Sequence, residues 1–409
     1  MAVTDVKSIL NNYLNSVPPS LVGADKTNYI IENSGKITPD EQIVLRSYFN
    51  KMLTGMIERE ASDIEVGGHG NGGFVWMRIH GDKNRVKDIP SFTNEEFAVI
   101  ISNLLNSNQR KILTAIKNLD FSYTFKYERK NVDVRFRADA YFDLDTLALN
   151  MRAINASIRP VESLGFHPYA LKSMSHGYIK FGLSLVTGIT GSGKSSTLDS
   201  LIDAHNKIDP CHIVIIASPV EYVHTSDKSI IRHREVGRDV VSFKDGVIQA
   251  LRQDPDIIII GEMRDPDTIL AALEVTDTGH KVFSTLHTSS AIESIDRIIA
   301  EVNPAEQERV RYRLADVLTS IVSQKLVPSL DGKRILAKEV LIVTPNVRAA
   351  IKNNTTSEIY MMIEQGSKEG MVTLEQDLKR LYQTKKISLE NAIAYANEKT
   401  RIKQILSVV

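Results

Sequence analysis

The segment from Gly188 to Thr197 carries the residue types and spacing needed for phosphate chemistry. It fits the pattern G-x-x-x-x-G-K-[ST] at every position. Glycines allow the backbone to form a nest of N–H groups that point at an anion. Lys194 can reach the outer phosphates of a nucleotide, and the Ser195 hydroxyl can hold a magnesium ion. The predicted triphosphate-binding residues are Gly188, Thr190, Gly191, Ser192, Gly193, Lys194, Ser195 and Ser196.

The elements on either side of this loop are those that a phosphate site needs. The apolar run 183–187 predicts a buried strand, and residues 195–202 predict a helix. A helix that begins at Lys194 directs the positive end of its dipole at the same anion. A Gly/Ser turn without a ligand is the alternative interpretation. The strand before the loop and the helix after it favour the nucleotide site.

Three further apolar runs predict strands that alternate with helical segments. They lie at 211–217, 256–260 and 281–286. This alternation is typical of a parallel sheet wound with helices. In such sheets, ligands bind beyond the carboxyl ends of the strands, so the residues that follow each strand are candidates for the site.

Acidic and imidazole side chains occupy those positions. Glu221 and Glu262 follow two of the strands, and His287 follows the third. A carboxylate fixed at a strand end can order magnesium or a water, and both glutamates are candidates to polarise the attacking water. His280 and His287 stand at the two ends of one strand, and the sequence favours a functional and a structural role for them about equally.

The first part of the chain predicts mixed structure. Residues 1–40 are polar and mixed, which predicts a loosely structured lead-in, whereas a helix with a broad apolar stripe is predicted from Glu41. Residues 61–142 predict an α+β arrangement, and a capping box at Thr93 opens one of its helices. Strands are predicted at 73–80, 121–127 and 132–141.

The last of these strands alternates between apolar and charged residues. Arg135 and Arg137 therefore project from one polar face, together with Asp133 and Asp139. On the alternation alone, a solvated face with Asp–Arg pairs is the favoured interpretation.

Composition limits the class of protein. The 409 residues allow two or three domains, and 50 basic residues balance 50 acidic ones. A net charge of zero argues against bulk nucleic-acid binding, a DNA translocase included. A single cysteine, Cys211, excludes an intrachain disulfide and a Cys-rich zinc site. The chain shows neither a signal peptide nor an apolar run of membrane-spanning length, so a cytoplasmic protein is expected.

Several separate motifs resemble one family. They are the runs at 234–237, 250–256, 261–265, 278–280 and 285–288. In this order they resemble the secretion-type ATPases, and among those the PilT-type pilus retraction motors. The resemblance extends from about residue 61 to near the C-terminus.

The resemblance implies an α/β chain with a PAS-like α+β N-terminal domain, a RecA-like P-loop ATPase domain and a C-terminal helical region. It implies a homo-hexameric ring that binds ATP and Mg²⁺, with ATP between domains and subunits. Residues 1–55 form an extension without an assigned role. The expected limits are 56–155 for the N-terminal domain, 156–164 for a linker, 165–345 for the ATPase domain and 346–409 for the helical subdomain.

The resemblance also implies roles for individual residues. It makes Gly188–Ser195 the Walker A loop, Glu262 the Walker B acid that holds magnesium with Ser195, and Glu221 the general base. His280 and His287 belong to the family's His box. Arg135, Arg137 and Arg152 match arginines that reach ATP, which reverses the preference for a solvated strand face.

One departure from the family pattern affects candidate site residues, and one difference separates this chain from the extension-type relatives. Ala217 and Ser218 replace two acids of the usual Glu-Asp-Pro segment, although Glu221 is kept. The extension-type relatives carry a tetracysteine zinc site that one cysteine cannot supply, which favours the retraction type.

The resemblance therefore implies an ATPase that retracts a type IV pilus by disassembling pilin at the inner membrane. Its expected partners are the inner-membrane platform protein and the pilin machinery, with membrane contact only through them. Two alternatives remain open. One is an ATPase that energises a Dot/Icm-like type IV secretion system, and the other is a weakly or non-hydrolysing regulatory partner of another pilus motor.

Overall fold

The computed structural model describes residues 3–154 and 158–407. The chain divides into two compact units. The first contains Met1–Ala156, Ser218–Tyr222 and Gly237–Asp239, and the second contains the remaining residues to Val409. Residues 156 and 157, where the linker is predicted to begin, lie outside the described part. The limits predicted for the individual domains stay predictions.

The first unit is an α+β structure built on one antiparallel sheet. Its elements are α1 (Val3–Asn15), α2 (Gly23–Asn33), α3 (Pro39–Glu58), β1 (Ala61–Gly67), β2 (Trp76–Ile79), β3 (Asp82–Arg85), α4 (Asn94–Ser102), α5 (Ser107–Ile116), β4 (Asn118–Tyr127), β5 (Val132–Asp143) and β6 (Thr146–Ala153). The strands lie in the order β3-β2-β1-β6-β5-β4.

The N-terminal residues differ from the expected loose lead-in. Two helices, α1 and α2, bury Val6, Leu10, Ile30 and Ile31 in the same core as the sheet. The prediction was wrong because the apolar positions of these helices are few and separated by polar residues. Only packing against the rest of the unit shows that they are buried. The helix predicted from Glu41 is confirmed as α3.

Capping and alternation patterns in the sequence predicted other elements of this unit close to their observed positions. The Thr93 side chain accepts a hydrogen bond from the Glu96 amide and forms the predicted capping box at the start of α4. Strand β5 alternates as expected, with Phe136, Ala138 and Ala140 buried. The strand predicted at 73–80 is shorter in the structure, because it begins only at Trp76.

The second unit contains a sheet of seven strands with helices between them. Its elements are α6 (Pro168–Met174), β7 (Gly182–Thr187), α7 (Lys194–Ile208), β8 (His212–Ala217), β9 (Ile230–Glu235), α8 (Phe243–Ala250), β10 (Ile257–Ile260), α9 (Pro266–Asp277), β11 (Lys281–Leu286), α10 (Ala291–Glu301), α11 (Gln307–Val317), β12 (Leu318–Pro328), β13 (Arg334–Ile342), α12 (Pro345–Lys352), α13 (Ile359–Gln365), α14 (Leu374–Gln383), α15 (Leu389–Tyr395) and α16 (Lys399–Leu406).

The strand order in this sheet is β13-β12-β7-β11-β10-β8-β9. All neighbouring pairs are parallel except β12 with β13. The four strands predicted from the sequence are confirmed as β7, β8, β10 and β11. They lie side by side at the centre of the sheet, and all four have both faces buried or nearly so. Near-continuous apolar runs are typical of such strands.

A second, smaller core lies at the C-terminal end of this unit. Val327 and Ala337 of the β12–β13 hairpin pack there against α14, α15 and α16. The C-terminal helical region implied by the resemblance contains the five helices α12 to α16 among the described residues. The sequence analysis missed β9, β12 and β13.

Candidate nucleotide-binding site

The Walker A loop joins the end of β7 to the start of α7, as the sequence predicted. The backbone of Gly188 has φ of +152°, and a Cβ there would lie 2.3 Å from Ser192 Oγ and 2.5 Å from the Gln324 carbonyl oxygen. Gly193 has φ of +90° at the residue before the helix. Both positions require glycine, because a side chain would be blocked at the first and strained at the second.

Lys194 is held close to the loop. Its Nζ donates hydrogen bonds to the carbonyls of Gly188 at 2.8 Å and Ile189 at 3.2 Å. Thr190, Gly191, Ser195 and Ser196 are exposed around it. The loop therefore combines a cation, the three exposed hydroxyls of Thr190, Ser195 and Ser196, and the start of a helix, which is the arrangement that binds a phosphate.

Gln324 of strand β12, which the sequence analysis did not identify, binds the Walker A loop. Gln324 is buried, its Nε2 donates to the Ser192 carbonyl at 2.9 Å, and its Oε1 accepts from Thr197 Oγ1 at 3.0 Å. The only signal in the sequence is an amide within an apolar strand. The Ser192 hydroxyl itself is buried and makes no hydrogen bond within the described residues. A phosphate oxygen would be a fitting acceptor for it.

Glu262 and His287 meet at the carboxyl end of the sheet. Glu262 follows β10 and His287 follows β11, two adjacent parallel strands. His287 Nε2 lies 3.7 Å from Glu262 Oε2, and Arg264 Nε lies 2.7 Å from the same oxygen. β11 also pairs with β7, and the Gly188 amide donates to the Leu286 carbonyl. The structure thus brings Glu262 and His287 to the edge of the sheet where the Walker A loop begins.

The surroundings of His287 favour its neutral form. Partial burial lowers its pKa, and the positive charges of Lys194, Arg264 and Arg297 lower it further. A neutral imidazole can accept a proton or a hydrogen bond at neutral pH. Arg297 also donates to the His287 carbonyl at 3.3 Å. The sequence analysis gave no role to either arginine.

His280 lies elsewhere in the same unit. It precedes β11, whereas His287 follows it, so the two rings are about 20 Å apart along the strand. Its Nδ1 lies 3.0 Å from Thr278 Oγ1 and 3.1 Å from the Val275 carbonyl oxygen. Within this unit, the structure does not bring His280 to the Walker A loop, and its role in the His box stays a prediction.

The remaining predicted residues belong to the first unit. Arg135 lies on β5, where Nε donates to the Val220 carbonyl at 2.9 Å and the guanidinium also binds Ser122 and Thr124. Arg137 NH1 lies 3.8 Å from Glu221 Oε1. The structure therefore pairs the predicted general base with one of the predicted arginines.

Arg152, on β6, is bound to a buried carboxylate of the same sheet. Its Nε donates to Asp63 Oδ1 at 2.8 Å, and Arg78 lies 3.7 Å from the other oxygen of Asp63. The side chain of Arg152 is nevertheless 69% exposed. The ion pair orients this arginine without burying it.

Most of this chain matches one known protein family. The family model described as "Type II/IV secretion system protein" matches residues 38–408. The chain belongs to this family. The match covers both units, including the Walker A loop, Glu221 and Glu262.

One curated relative of this secretion-system protein is named for twitching motility, and another for pilus retraction. A "Twitching motility protein" of Neisseria gonorrhoeae is 38% identical over 77% of this chain and 82% of its own length. The "Type IV pilus retractation ATPase PilT" of Pseudomonas aeruginosa is 39% identical over 77% of this chain and 89% of its own length.

Solved structures give the same result. A crystal structure of the pilus retraction motor PilT with bound ADP is 36% identical, has a TM-score of 0.75, and covers 87% of this chain and 98% of that one. The Legionella pneumophila ATPase DotB is 25% identical, has a TM-score of 0.74, and covers 88% of this chain and 96% of that one. The secretion-system protein described here is therefore an ATPase of the PilT type, with the expected N-terminal domain and RecA-like ATPase domain.

Two further observations concern metals and membranes. The described residues contain no group of three or more His, Cys, Asp or Glu side chains that could hold a metal ion among themselves. Among the helices of residues 3–154 and 158–407, none is both long and apolar enough to cross a membrane.

Proposed function

We propose that this chain is the ATPase of a homo-hexameric motor that retracts type IV pili by disassembling pilin at the inner membrane. The observation that carries the proposal is the 39% identity to a pilus retraction ATPase across 89% of that relative's length. The presence of only one cysteine supports it, because the tetracysteine zinc site of extension-type motors cannot form.

The Walker A loop supplies the groups that phosphoryl transfer requires. The backbone amides and the N-terminus of α7 bind the triphosphate, and Lys194 neutralises charge that develops on the outer phosphates. For this the Nζ of Lys194 exchanges its carbonyl partners, Gly188 and Ile189, for phosphate oxygens. Such preorganised charges lower the barrier most when closure of the site excludes water.

The oxygen donors near the loop fit Mg²⁺. Ser195 offers an exposed hydroxyl in the first turn of α7, and Glu262 offers a carboxylate at the end of β10. Hard oxygen ligands in small number, completed by phosphate oxygens and water, are what Mg²⁺ prefers. When bound, Mg²⁺ would neutralise charge on the phosphates. Glu262 would also orient the attacking water.

The first unit supplies the other proposed groups. Glu221 is proposed as the general base, with Arg137 holding its carboxylate. Arg135, Arg137 and Arg152 are proposed to stabilise charge on the nucleotide. Ala217 and Ser218 replace two acids of the family pattern, whereas Glu221 and Glu262 are both kept.

The partners follow from the proposed role. The motor is proposed to act from the cytoplasmic face of the inner membrane, through the pilus platform protein and the pilin machinery. Nucleic acid is not among the proposed partners, because the chain has no net positive charge.

Deletion of the gene in its own host tests the proposal. Cells without the protein should accumulate surface pili and lose twitching, and the wild-type gene should restore both. The Lys194→Ala gene should fail to restore them. Lys207→Ala is the matched control, because Lys207 lies on the same helix, is exposed, and binds only Asp203 among the contacts described.

Other outcomes would point to the alternatives. Loss of protein secretion with normal pili would contradict the retraction motor and favour the DotB-like role, which the structural similarity to DotB motivates. Rescue by Lys194→Ala would contradict a hydrolytic role and favour a regulatory partner. Native mass spectrometry of the purified protein tests the ring, and any stable state other than six copies would contradict it.

A further inference from the structure

A group of polar residues in the second unit lies away from the Walker A loop and still contacts the segment that follows His287. We call it the C-terminal polar cluster. Its four members come from two strands, one helix and the connection to the last helix. They are Lys325 of β12, Glu339 of β13, Glu375 of α14 and Asn397 before α16.

Glu339 binds the start of α10. Its Oε1 accepts a hydrogen bond from the Ala291 amide at 2.7 Å, and the side chain is almost fully buried. Ala291 is the first residue of α10, where backbone amides have no partner within the helix. A carboxylate at this position satisfies one of those amides and interacts favourably with the helix dipole. Helix α10 begins four residues after His287.

Asn397 binds the same segment at a second point. Its Nδ2 donates to the Ser289 carbonyl at 3.1 Å, while its Oδ1 accepts from Lys325 Nζ at 2.6 Å. Lys325 also donates to the Tyr395 carbonyl at 2.9 Å. Because the ammonium group can only donate, the orientation of the Asn397 amide is fixed. Residues 288–291 are therefore bound on both an amide and a carbonyl.

The cluster is tied to the last two helices as well. Glu375 Oε1 accepts hydrogen bonds from the amides of Asn397 and Glu398, both at 3.0 Å, immediately before α16. The backbone amide of Leu374, the first residue of α14, also stabilises the charged form of Glu339. Glu339 thus contacts the N-termini of α10 and α14 together.

A chain of hydroxyls connects the same segment to the end of β7. Thr288 and Ser294 are hydrogen-bonded at 2.6 Å, and Thr187 and Ser323 at 2.8 Å. Ser294 Oγ lies 3.5 Å from Thr187 Oγ1, which precedes the Walker A glycine Gly188. A shift of α10 would therefore be felt both at His287 and at the start of the loop.

We infer that Glu339 and Asn397 are positioning residues for ATP hydrolysis: they fix residues 288–291, and through them hold His287 beside Glu262. The cluster also links that geometry to α14 and α16, so that movement of the C-terminal helices changes the rate of hydrolysis. This inference rests on the proposed role of Glu262 in hydrolysis and on the predicted His-box role of His287, which lies 3.7 Å from Glu262. It does not depend on which polymer the motor acts on.

Kinetics of the purified full-length protein test the inference. Glu339→Gln and Asn397→Ala should each lower kcat for phosphate release by about 10-fold, because small displacements of catalytic groups have effects of this size or larger. The KM for ATP should change by less than about 2-fold, because neither residue contacts the Walker A loop directly. The double variant should be no slower than the slower single variant, since both residues act on one segment.

A matched control separates positioning from loss of stability. Asp377→Asn changes another buried carboxylate of α14, whose partners are the Lys338 amide and Arg380 rather than residues 288–291. Its kcat should stay near the wild-type value. Thermal unfolding of all variants shows whether they are folded at the assay temperature.

The pH dependence gives a second readout. The pKa of Glu339 is raised to about 7, chiefly by burial and also by the negative charge of Glu375, while the Ala291 hydrogen bond and the charge of Lys325 act in the opposite direction. Tyr360, whose hydroxyl donates to Glu375 Oε2, is a further titratable group near the cluster. Because the ionised carboxylate binds the Ala291 amide more strongly, wild-type kcat should rise with pH around 7. The rise should be smaller in Glu339→Gln.

Several outcomes would overturn the inference. One is a kcat within about 2-fold of wild type for both single variants. Others are an equal loss in Asp377→Asn, or losses that multiply in the double variant. In all three cases the wild-type protein would still hydrolyse ATP, so the proposed motor function would stand. A wild-type protein that released no phosphate would overturn both.

Discussion

At the scale of single residues, the site depends on contacts that hold its charged side chains in fixed positions. Lys194 bonds to two loop carbonyls, and Glu262 lies between Arg264 and His287. Each of these side chains is fixed by at least one neighbour before any ligand is considered. Preorganised charge of this kind is the largest single contribution to rate in many enzymes.

The first prediction concerns Lys194. In vitro, Lys194→Ala should lower ATP hydrolysis by about 10²-fold or more, because a cation opposite the developing phosphate charge is lost. Malachite-green detection of phosphate measures it. Lys207→Ala, on the exposed side of the same helix, should hydrolyse ATP like wild type. Normal turnover in Lys194→Ala would remove the Walker A assignment.

At the scale of elements, strand β11 has a candidate site residue at one end and a buried lysine at the other. His287 follows its carboxyl end, at the site, while Lys281 is fully buried at its other end. Lys281 Nζ donates to the Ser173 carbonyl at 3.0 Å, near the end of α6. The strand therefore positions His287 at its carboxyl end and binds the end of α6 through Lys281 at its amino end.

The second prediction concerns this buried lysine. Burial lowers the pKa of Lys281 from 10.5 to about 7. Between these values the folded chain binds fewer protons than the unfolded chain, so the free energy of unfolding rises with pH. Lys281→Met should be more stable than wild type at pH 7, by about 1–4 kcal/mol, as when buried charges are replaced by apolar residues.

The difference should shrink as pH rises from about 7 to 10.5, which urea unfolding at several pH values would measure. Lys207→Met, at an exposed site, should show no such trend. If the difference in free energy of unfolding stayed constant between about pH 7 and 10.5, burial of the charged Lys281 would not be what destabilises the wild-type protein.

At the scale of the whole molecule, the family match spans two units that each have their own sheet and core. The Walker A loop, Glu262 and His287 belong to one unit, while Glu221 and the three proposed arginines belong to the other. If the proposed roles hold, hydrolysis requires residues of both units. Phosphoryl-transfer enzymes commonly complete their sites in this manner, with an arginine supplied by another domain or subunit.

The third prediction follows from that requirement. Arg137→Ala should lower kcat by about 10³-fold or more, the size of effect seen for arginines opposite a γ-phosphate. Binding of a fluorescent nucleotide to the full-length protein should persist, because the Walker A loop is unchanged. Arg129→Ala is the control. Arg129 lies between β4 and β5, is exposed, and pairs with Glu58 at the end of α3. Equal activity of the two variants would exclude a catalytic role for Arg137.

The sequence determined the parts of this protein whose cause is local. The glycine spacing at 188–193, the capping box at Thr93 and the four apolar strands are properties of neighbouring residues, and each was predicted close to its observed position. The position of Glu262 followed from the parallel order of those strands, because a residue after a strand must lie at its carboxyl end.

Only the tertiary structure decided which distant residues meet. Gln324 binds a carbonyl 132 positions away, and Glu339 binds an amide 48 positions away. Both lie on strands that the sequence did not reveal, and their partners depend on strand order and register. The burial of α1 and α2 likewise depends on a core built by later residues. Local periodicity and capping carry no information about such contacts, because their free energy is gained only when the whole unit packs.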